Sequence, residues 1–391
     1  MGESHDKKGY DSNSNAGEIR EDRKLADIIK ETHSTLREQV QSISCDLVEK
    51  KNEIEDEIWK EHADRRMALE SGSLPSNLTH PKPDMCYSSA MQKLADKHWA
   101  PNIDTDIEKC SRIKWIKNHI NKYLDSDQYK FCERLEKRQY YEKFQTTNGF
   151  SKRLKIDRTN KTESKSVVSQ ILDVGSCHNP FSKEFMDQNV NVTAIDLCPW
   201  SESVYKCDFL RVPIVEMDKT YEVCSNRLNH SVTSLKHNGF DVVVFCLLLE
   251  YFPSPRLRYQ ACEKASQLLK NNGLLLIVTP DSSKNQAKNE TQMKSWRLAM
   301  ANIGFLRIYI EKLRHLRCMG FVKVDEESFG SICKEEANKI EKLLTRINTE
   351  KVKSDSEIQD FGPKDDHLMF IPQDSTTKEF LEKRNQKIVL K

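Results

Sequence analysis

From Val167 to Val324 the chain alternates short, strongly apolar runs with longer mixed segments: VVSQILDV, VNVTAID, DVVVFCLLL, GLLLIVTP, FLRIYIEKL and LRCMGFVKV. Strand-length runs separated by helix-length segments predict a doubly wound α/β sheet, because parallel strands need a crossover to return to the same edge. The last two runs lie too close together for a crossover helix and must pair antiparallel. The expectation is therefore a mostly parallel sheet with an antiparallel terminal hairpin, over residues 166–326.

The flanks read differently. Leu25, Ile29, Thr32, Leu36, Val40, Ile43, Leu47, Ile54 and Ile58 recur at three- and four-residue steps, which predicts one long amphipathic helix or two. SGSLPSNLTHPKPD breaks that pattern with prolines and a glycine. Further helical stretches contain Met91, Leu94, Ala95 and Trp99, then Ile113, Trp115, Ile116, Ile120 and Tyr123, continuing toward Phe144. These make a small helical domain over 22–150. The polar residues 1–21 read as a tail and the basic SKRLKIDRTNKTESK of 151–165 as a linker. Residues 327–391 form a charged C-terminal extension, with a helical stretch near Ile340 and an apolar patch, LMFIP, near Phe370.

A net charge of +2 over 391 residues speaks against a protein that coats nucleic acid. The local excess of Lys and Arg across 105–165 reads as a solvated face, with phosphate contact as the alternative. No apolar run approaches the roughly 18–20 residues of a membrane span, and MGESHDKKGY has no signal-peptide core. Asp6 stands where a myristoylation pattern needs Ser or Thr. The expectation is a cytoplasmic protein. Twelve cysteines without a paired C-x-x-C spacing indicate neither a zinc site nor a disulfide framework, so no metal is expected and most thiols read as reduced core residues.

The chemistry concentrates at the ends of the first runs. ILDVGS places Gly175 at a strand-to-helix turn, where the backbone can approach a ligand and the following helix start can present amides to an anionic group. Alone this turn is unspecific, because Cys177 and Asn179 stand where a dinucleotide fingerprint has further glycines. Asp196 closes VTAID about 20 residues beyond Gly175, the separation at which a carboxylate reaches both ribose hydroxyls. In KCDFL, Asp208 is placed to accept from an adenine amino group and the ring of Phe209 to lie against the adenine face. Together these positions point to an adenosyl ligand. The missing glycines, Asp208 and the terminal hairpin favour S-adenosylmethionine over a dinucleotide. Cys246, at the end of DVVVFC, is a candidate to line the methionine end, with a buried structural cysteine as the alternative. Glu250, Tyr251 and Asp281 are the nearby polar groups available for acid–base work, and no amine-orienting Asp-Pro-Pro-Tyr type of run follows that strand. Methyl transfer can proceed largely by alignment, so this does not exclude an enzyme.

ILDVGSCHNPF, ESVYKCDFL, VVVFCLLLEYFPSP, NGLLLIVTPDSS and MKSWRLA together resemble the family of S-adenosylmethionine sensors upstream of TOR (SAMTOR), itself similar to a yeast ribosomal RNA adenine N1-methyltransferase. The resemblance extends over about 230 residues from KLADKHWA to LRCMGFVKV. It implies a helical N-terminal domain on a Rossmann-like class I methyltransferase domain. It also implies S-adenosylmethionine as ligand and repression of TOR complex 1 through the GATOR and KICSTOR assemblies, which are released when ligand binds. Recruitment to the lysosome surface would run through those partners. Carried over residue by residue, Gly175 and Asp196 match the family's ligand-binding positions, followed by Asp208, Phe209 and Cys246, and Arg112 in SRIKW reaches the methionine carboxylate. Two functions follow: a ligand-gated sensor, and a methyltransferase acting on ribosomal RNA adenine or on a protein.

Overall fold

The computed structural model describes residues 12–44, 47–70, 87–94, 112–125, 168–216, 223–226, 230–281, 286–313, 316–324 and isolated positions between 334 and 342. The expected proline-rich break, the basic linker, the stretch toward Phe144 and the LMFIP patch lie outside these residues. So do Ile340 and the greater part of the C-terminal extension. The chain divides into two compact units, with the boundary between Asp104 and Thr105.

The first unit holds α1 (Ser12–Gln41), α2 (Val48–Glu70) and α3 (Tyr87–Leu94), with α1 packed on both of the others. Helix α1 starts at Ser12, inside the stretch read as a tail. Its buried stripe of Leu25, Ile29, Leu36 and Val40 follows the sequence period. Helix α2 does not follow it. It buries Glu55, Trp59, His62 and Ala63, one continuous face, while Ile54 is 43% and Leu47 58% exposed. Polar groups gather at Tyr87: His33 Nε2 lies 2.8 Å from its hydroxyl, and the Arg66 guanidinium sits 4.2 Å over its ring.

The second unit contains α4 (Arg112–Asp125) and a ten-stranded sheet. The sequence reading grouped α4 with the preceding helices. Its apolar face of Ile113, Ile116, Ile120 and Tyr123 is buried within the unit that contains the sheet. The strands are β1 (Ser169–Val174), β2 (Val190–Asp196), β3 (Tyr205–Lys206), β4 (Ile214–Val215) and β5 (Val223–Asn226). They continue with β6 (Ser231–Lys236), β7 (Phe240–Cys246), β8 (Leu269–Pro280), β9 (Phe305–Leu313) and β10 (Leu316–Lys323). Helices α5 (Pro180–Glu184), α6 (Pro255–Leu268) and α7 (Gln286–Asn302) connect them.

The strand order is β4-β6-β3-β2-β1-β7-β8-β10-β9, with β5 antiparallel on β6. Strands β1, β2, β3, β6, β7 and β8 pair in parallel, and β9 and β10 form the expected antiparallel hairpin. Strand β10 inserts beside β8, leaving β9 at the edge. The centre is dry: Ile171, Leu172, Val242, Val243, Val244, Phe245, Leu275, Leu276 and Ile277 are fully buried, as central strands covered on both faces require. The winding reverses between β1 and β7, and at such a switch point the crevice lies beyond the carboxyl ends of the strands.

Candidate functional site

At that crevice the turn after β1 is set by its backbone. Gly175 has φ 74°, and Cys177 and Asn179 have φ 59° and 51°. The residues that interrupt a glycine-rich pattern in the sequence thus adopt the left-handed conformation that glycine usually supplies. Asn179 is suited to it because its side chain bonds locally. It accepts from Ser182 N at 3.2 Å, donates to Ser203 O at 3.2 Å, and its own amide donates to Ser176 Oγ at 3.1 Å. Leu247, just beyond β7, is a fourth left-handed position, φ 58°. Such strained residues cluster where surrounding structure fixes a ligand site.

Asp196 ties this turn to β2. Its Oδ2 accepts from Cys177 N at 2.9 Å and its Oδ1 from Cys198 N at 2.8 Å. With the Leu197 amide also bonded to it, the carboxylate keeps about one of its four acceptor directions for a further donor. Burial pushes the carboxyl up to about 6, against the hydrogen bonds from the amides of Cys198, Cys177 and Leu197. Beneath it, Asp173 is 1% exposed and its Oδ2 has no partner among the described residues. Burial pushes Asp173 up to about 7, with a hydrogen bond from Ser176 opposing and the Asp196 charge adding to the rise.

The helix after the turn offers little to an anion. Helix α5 has five residues, begins at Pro180, which carries no N–H, and gives its Ser182 amide to the Asn179 cap. The expected recognition of a carboxylate by this helix start is therefore not built. A cation stands there instead. Arg112, the first residue of α4, lies beside Cys246 at the end of β7 and near His178, and its Nε has no partner among the described residues. Burial pushes the Cys246 thiol up to about 11 despite that guanidinium, so the cysteine stays a neutral wall. Neither ring nitrogen of His178 has a hydrogen-bond partner among the described residues, and its ring meets Trp200 edge-on at 6.2 Å. Burial, then the charges of Arg112 and Lys183, hold His178 below its ordinary value, leaving a neutral ring with one donor and one acceptor.

The end expected to take the adenine is more closed. Asp208 is buried, with Oδ1 accepting from Leu210 N at 3.1 Å and Arg211 at 3.7 Å from Oδ2. Phe209 is core: 5% exposed, edge-on to Phe245 at 5.6 Å, with Lys264 Nζ 5.9 Å over its ring. Lys264 also donates to Leu210 O at 3.0 Å and to Val212 O. The structure thus gathers Gly175, Asp196, Cys246 and Arg112 around one turn, and gives Phe209 a packing role beside it. Of the acid–base candidates, Asp281 is locked by Lys312 and Arg317, each at 2.7 Å. Burial raises its carboxyl, but the hydrogen bonds from those two cations outweigh it and the net shift is downward. Glu250 is buried in a single 3-10 turn with Tyr251. Sequence reasoning did not assign His178 or Asp173.

No group of His, Cys, Asp or Glu arranged to hold a metal occurs among the described residues, and no helix there is long and apolar enough to cross a membrane. A protein-family model described as a methyltransferase domain matches residues 137–317. The S-adenosylmethionine sensor upstream of mTORC1 of Danio rerio is 34% identical over 312 residues, spanning 78% of this chain and 71% of that protein. The proteins of the same name from Xenopus laevis and Xenopus tropicalis are 32% and 33% identical, each spanning 78% of this chain and 70% of the relative. The chain belongs to the family of S-adenosylmethionine sensors upstream of mTORC1.

Proposed function

We propose that this protein is an S-adenosylmethionine sensor that restrains TOR complex 1 through GATOR- and KICSTOR-type partners and releases them when the ligand binds. The observation that carries the ligand reading is the left-handed turn from Gly175 to Asn179 hydrogen-bonded to Asp196. In this reading Asp196 accepts the ribose hydroxyls, Asp208 the adenine amino group, and Arg112 faces the methionine carboxylate beside Cys246. Gly175 admits the ligand to the backbone. The site is laid out for binding and alignment, and the sheet itself does not decide between sensing and methyl transfer. The protein acts in the cytoplasm, recruited to the lysosome surface by its partners.

A ligand shifts an equilibrium only by its unequal affinity for the two states. Partner release therefore requires that the partner prefer the empty protein, and no chemistry is needed. The test is co-precipitation from cells deprived of methionine and then refed, comparing wild type with Asp196→Asn. Wild type should lose its partner on refeeding while the variant keeps it. Equal partner binding in both conditions, with purified protein methylating ribosomal RNA adenine or a protein, would replace the sensor by a methyltransferase.

A further inference from the structure

Arg112, Trp115 and His119 fall at positions i, i+3 and i+7 of α4 and so share one helical face. One end of that face is the ligand crevice, where Arg112 meets Cys246. The other ends on the edge strand β9. There Trp115 Nε1 donates to Glu311 Oε2 at 2.8 Å, and His119 Nε2 lies 3.2 Å from Glu311 Oε1. The carboxylate thus pins the Trp115 turn of the helix, with the His119 ring packed beside it. The His119 ring is fixed on its other sides, with Nδ1 2.8 Å from Trp115 O, its centroid 4.1 Å from that of the tilted Trp115 ring, and Tyr309 edge-on at 4.5 Å. Trp115 and His119 are buried, whereas the Glu311 side chain is 48% exposed.

We propose that Glu311 is a positioning residue for ligand recognition, acting through the α4 face to hold Arg112 at the carboxylate end of the site. This rests on the assignment of Arg112 to the methionine carboxylate. Other anchors of α4 lie beyond Trp115: Lys117 pairs with Glu184 on α5, and the Tyr123 hydroxyl donates to Asn272 O at 2.9 Å. They keep the helix docked when the Glu311 bond is lost. The turn that carries Arg112 then loses its restraint, and its guanidinium spreads over rotamers that do not meet the ligand. A fixed fork lowers the entropy cost of binding, the general origin of gains from preorganisation.

The experiment is calorimetry on the full chain with two ligands, S-adenosylmethionine and 5′-methylthioadenosine, which keeps the adenosyl group and lacks the amino-acid end. Glu311→Leu should weaken S-adenosylmethionine about tenfold and leave 5′-methylthioadenosine unchanged. Glu311→Gln keeps an acceptor for Trp115 Nε1 and should restore the wild-type ratio. Arg112→Met should show the same ligand-specific loss, and the double variant should bind no worse than Arg112→Met alone. An equal loss for both ligands in Glu311→Leu makes Glu311 a fold residue and overturns the inference, as does no loss for either. Arg112→Met binding S-adenosylmethionine like wild type sinks the Arg112 assignment and the clamp with it. A sensitive Arg112→Met beside an unaffected Glu311→Leu removes the clamp alone, leaving the site reading intact.

Discussion

Asp196 Oδ2 accepts the backbone amide of Cys177 at 2.9 Å while Cys177 is held at φ 59°. The carboxylate at the end of β2 thus shapes the turn after β1 as well as facing the crevice. Removing its charge should affect both ligand and turn. Asp196→Asn should weaken S-adenosylmethionine by roughly 1.5–3 kcal/mol, the range for a hydrogen bond to a charged group, about ten- to a hundredfold. The variant should remain folded by circular dichroism. Unchanged affinity would place the ribose elsewhere.

Left-handed backbone at a non-glycine residue costs roughly 1–2 kcal/mol, and more for a β-branched side chain. Cys177→Val should therefore melt below wild type, whereas Cys177→Gly should melt above Cys177→Val by at least about 1 kcal/mol. Equal melting of the two variants would mean that the turn relaxes without strain.

Gly175 adds steric closeness to a positive φ. A Cβ there would stand 2.8 Å from Leu248 Cδ1 at φ 74°. Gly175→Ala should lower stability, and Leu248→Ala in the same chain should recover the steric part of that loss but none of the backbone part. Full additivity of the two substitutions in a double-mutant cycle would show that the two residues do not interact.

The two units should respond to pH in opposite senses. Burial, with Arg66 and Arg65 close by, holds His62 at about 3 in the folded helical unit, below its ordinary value near 6.5. The unfolded state binds that proton first, so the stabilising contribution is full above about pH 6.5 and falls as pH drops toward 3. Asp173 and Asp196, raised to about 7 and 6, work the other way. Their contribution is full below the ordinary carboxylate value near 4 and is lost as pH rises through 6 to 7. Hydrogen exchange resolved by peptide should show α1–α3 loosening from pH 7 to 5, after correction for intrinsic rates, and His62→Leu should remove that trend. A pH-independent α1–α3 in wild type would contradict the assignment.

Much of this was legible in the residues. The apolar runs located β1, β2, β7, β8 and the closing hairpin, because fully buried strands leave continuous apolar stretches. Strand β6, SVTSLK, was not legible: only Val232 and Leu235 of its six residues are buried. Helix α4 was found but placed in the wrong unit, since an amphipathic period says that a face is buried and not against what. Exposed Leu47 and Ile54 misdirected the reading of α2 for the same reason, while its buried face carries Glu55 and His62. At the site, Gly175 and Asp196 stood out by spacing. Cys177 and Asn179 looked like departures from a glycine pattern because φ is not written in residue type. Arg112 reaches the crevice from a part of the chain far from β7, a proximity that only the fold creates.

Calorimetric titration of the full chain decides whether the turn and Asp196 hold S-adenosylmethionine. Wild type should give a saturable, single-site heat with S-adenosylmethionine and none with NAD. Because the ligand's ribose hydroxyls favour ionised Asp196, raised by burial to about 6, affinity should rise between about pH 5 and 7, with protons released to the buffer. Saturable binding of NAD with no heat from S-adenosylmethionine would contradict the account.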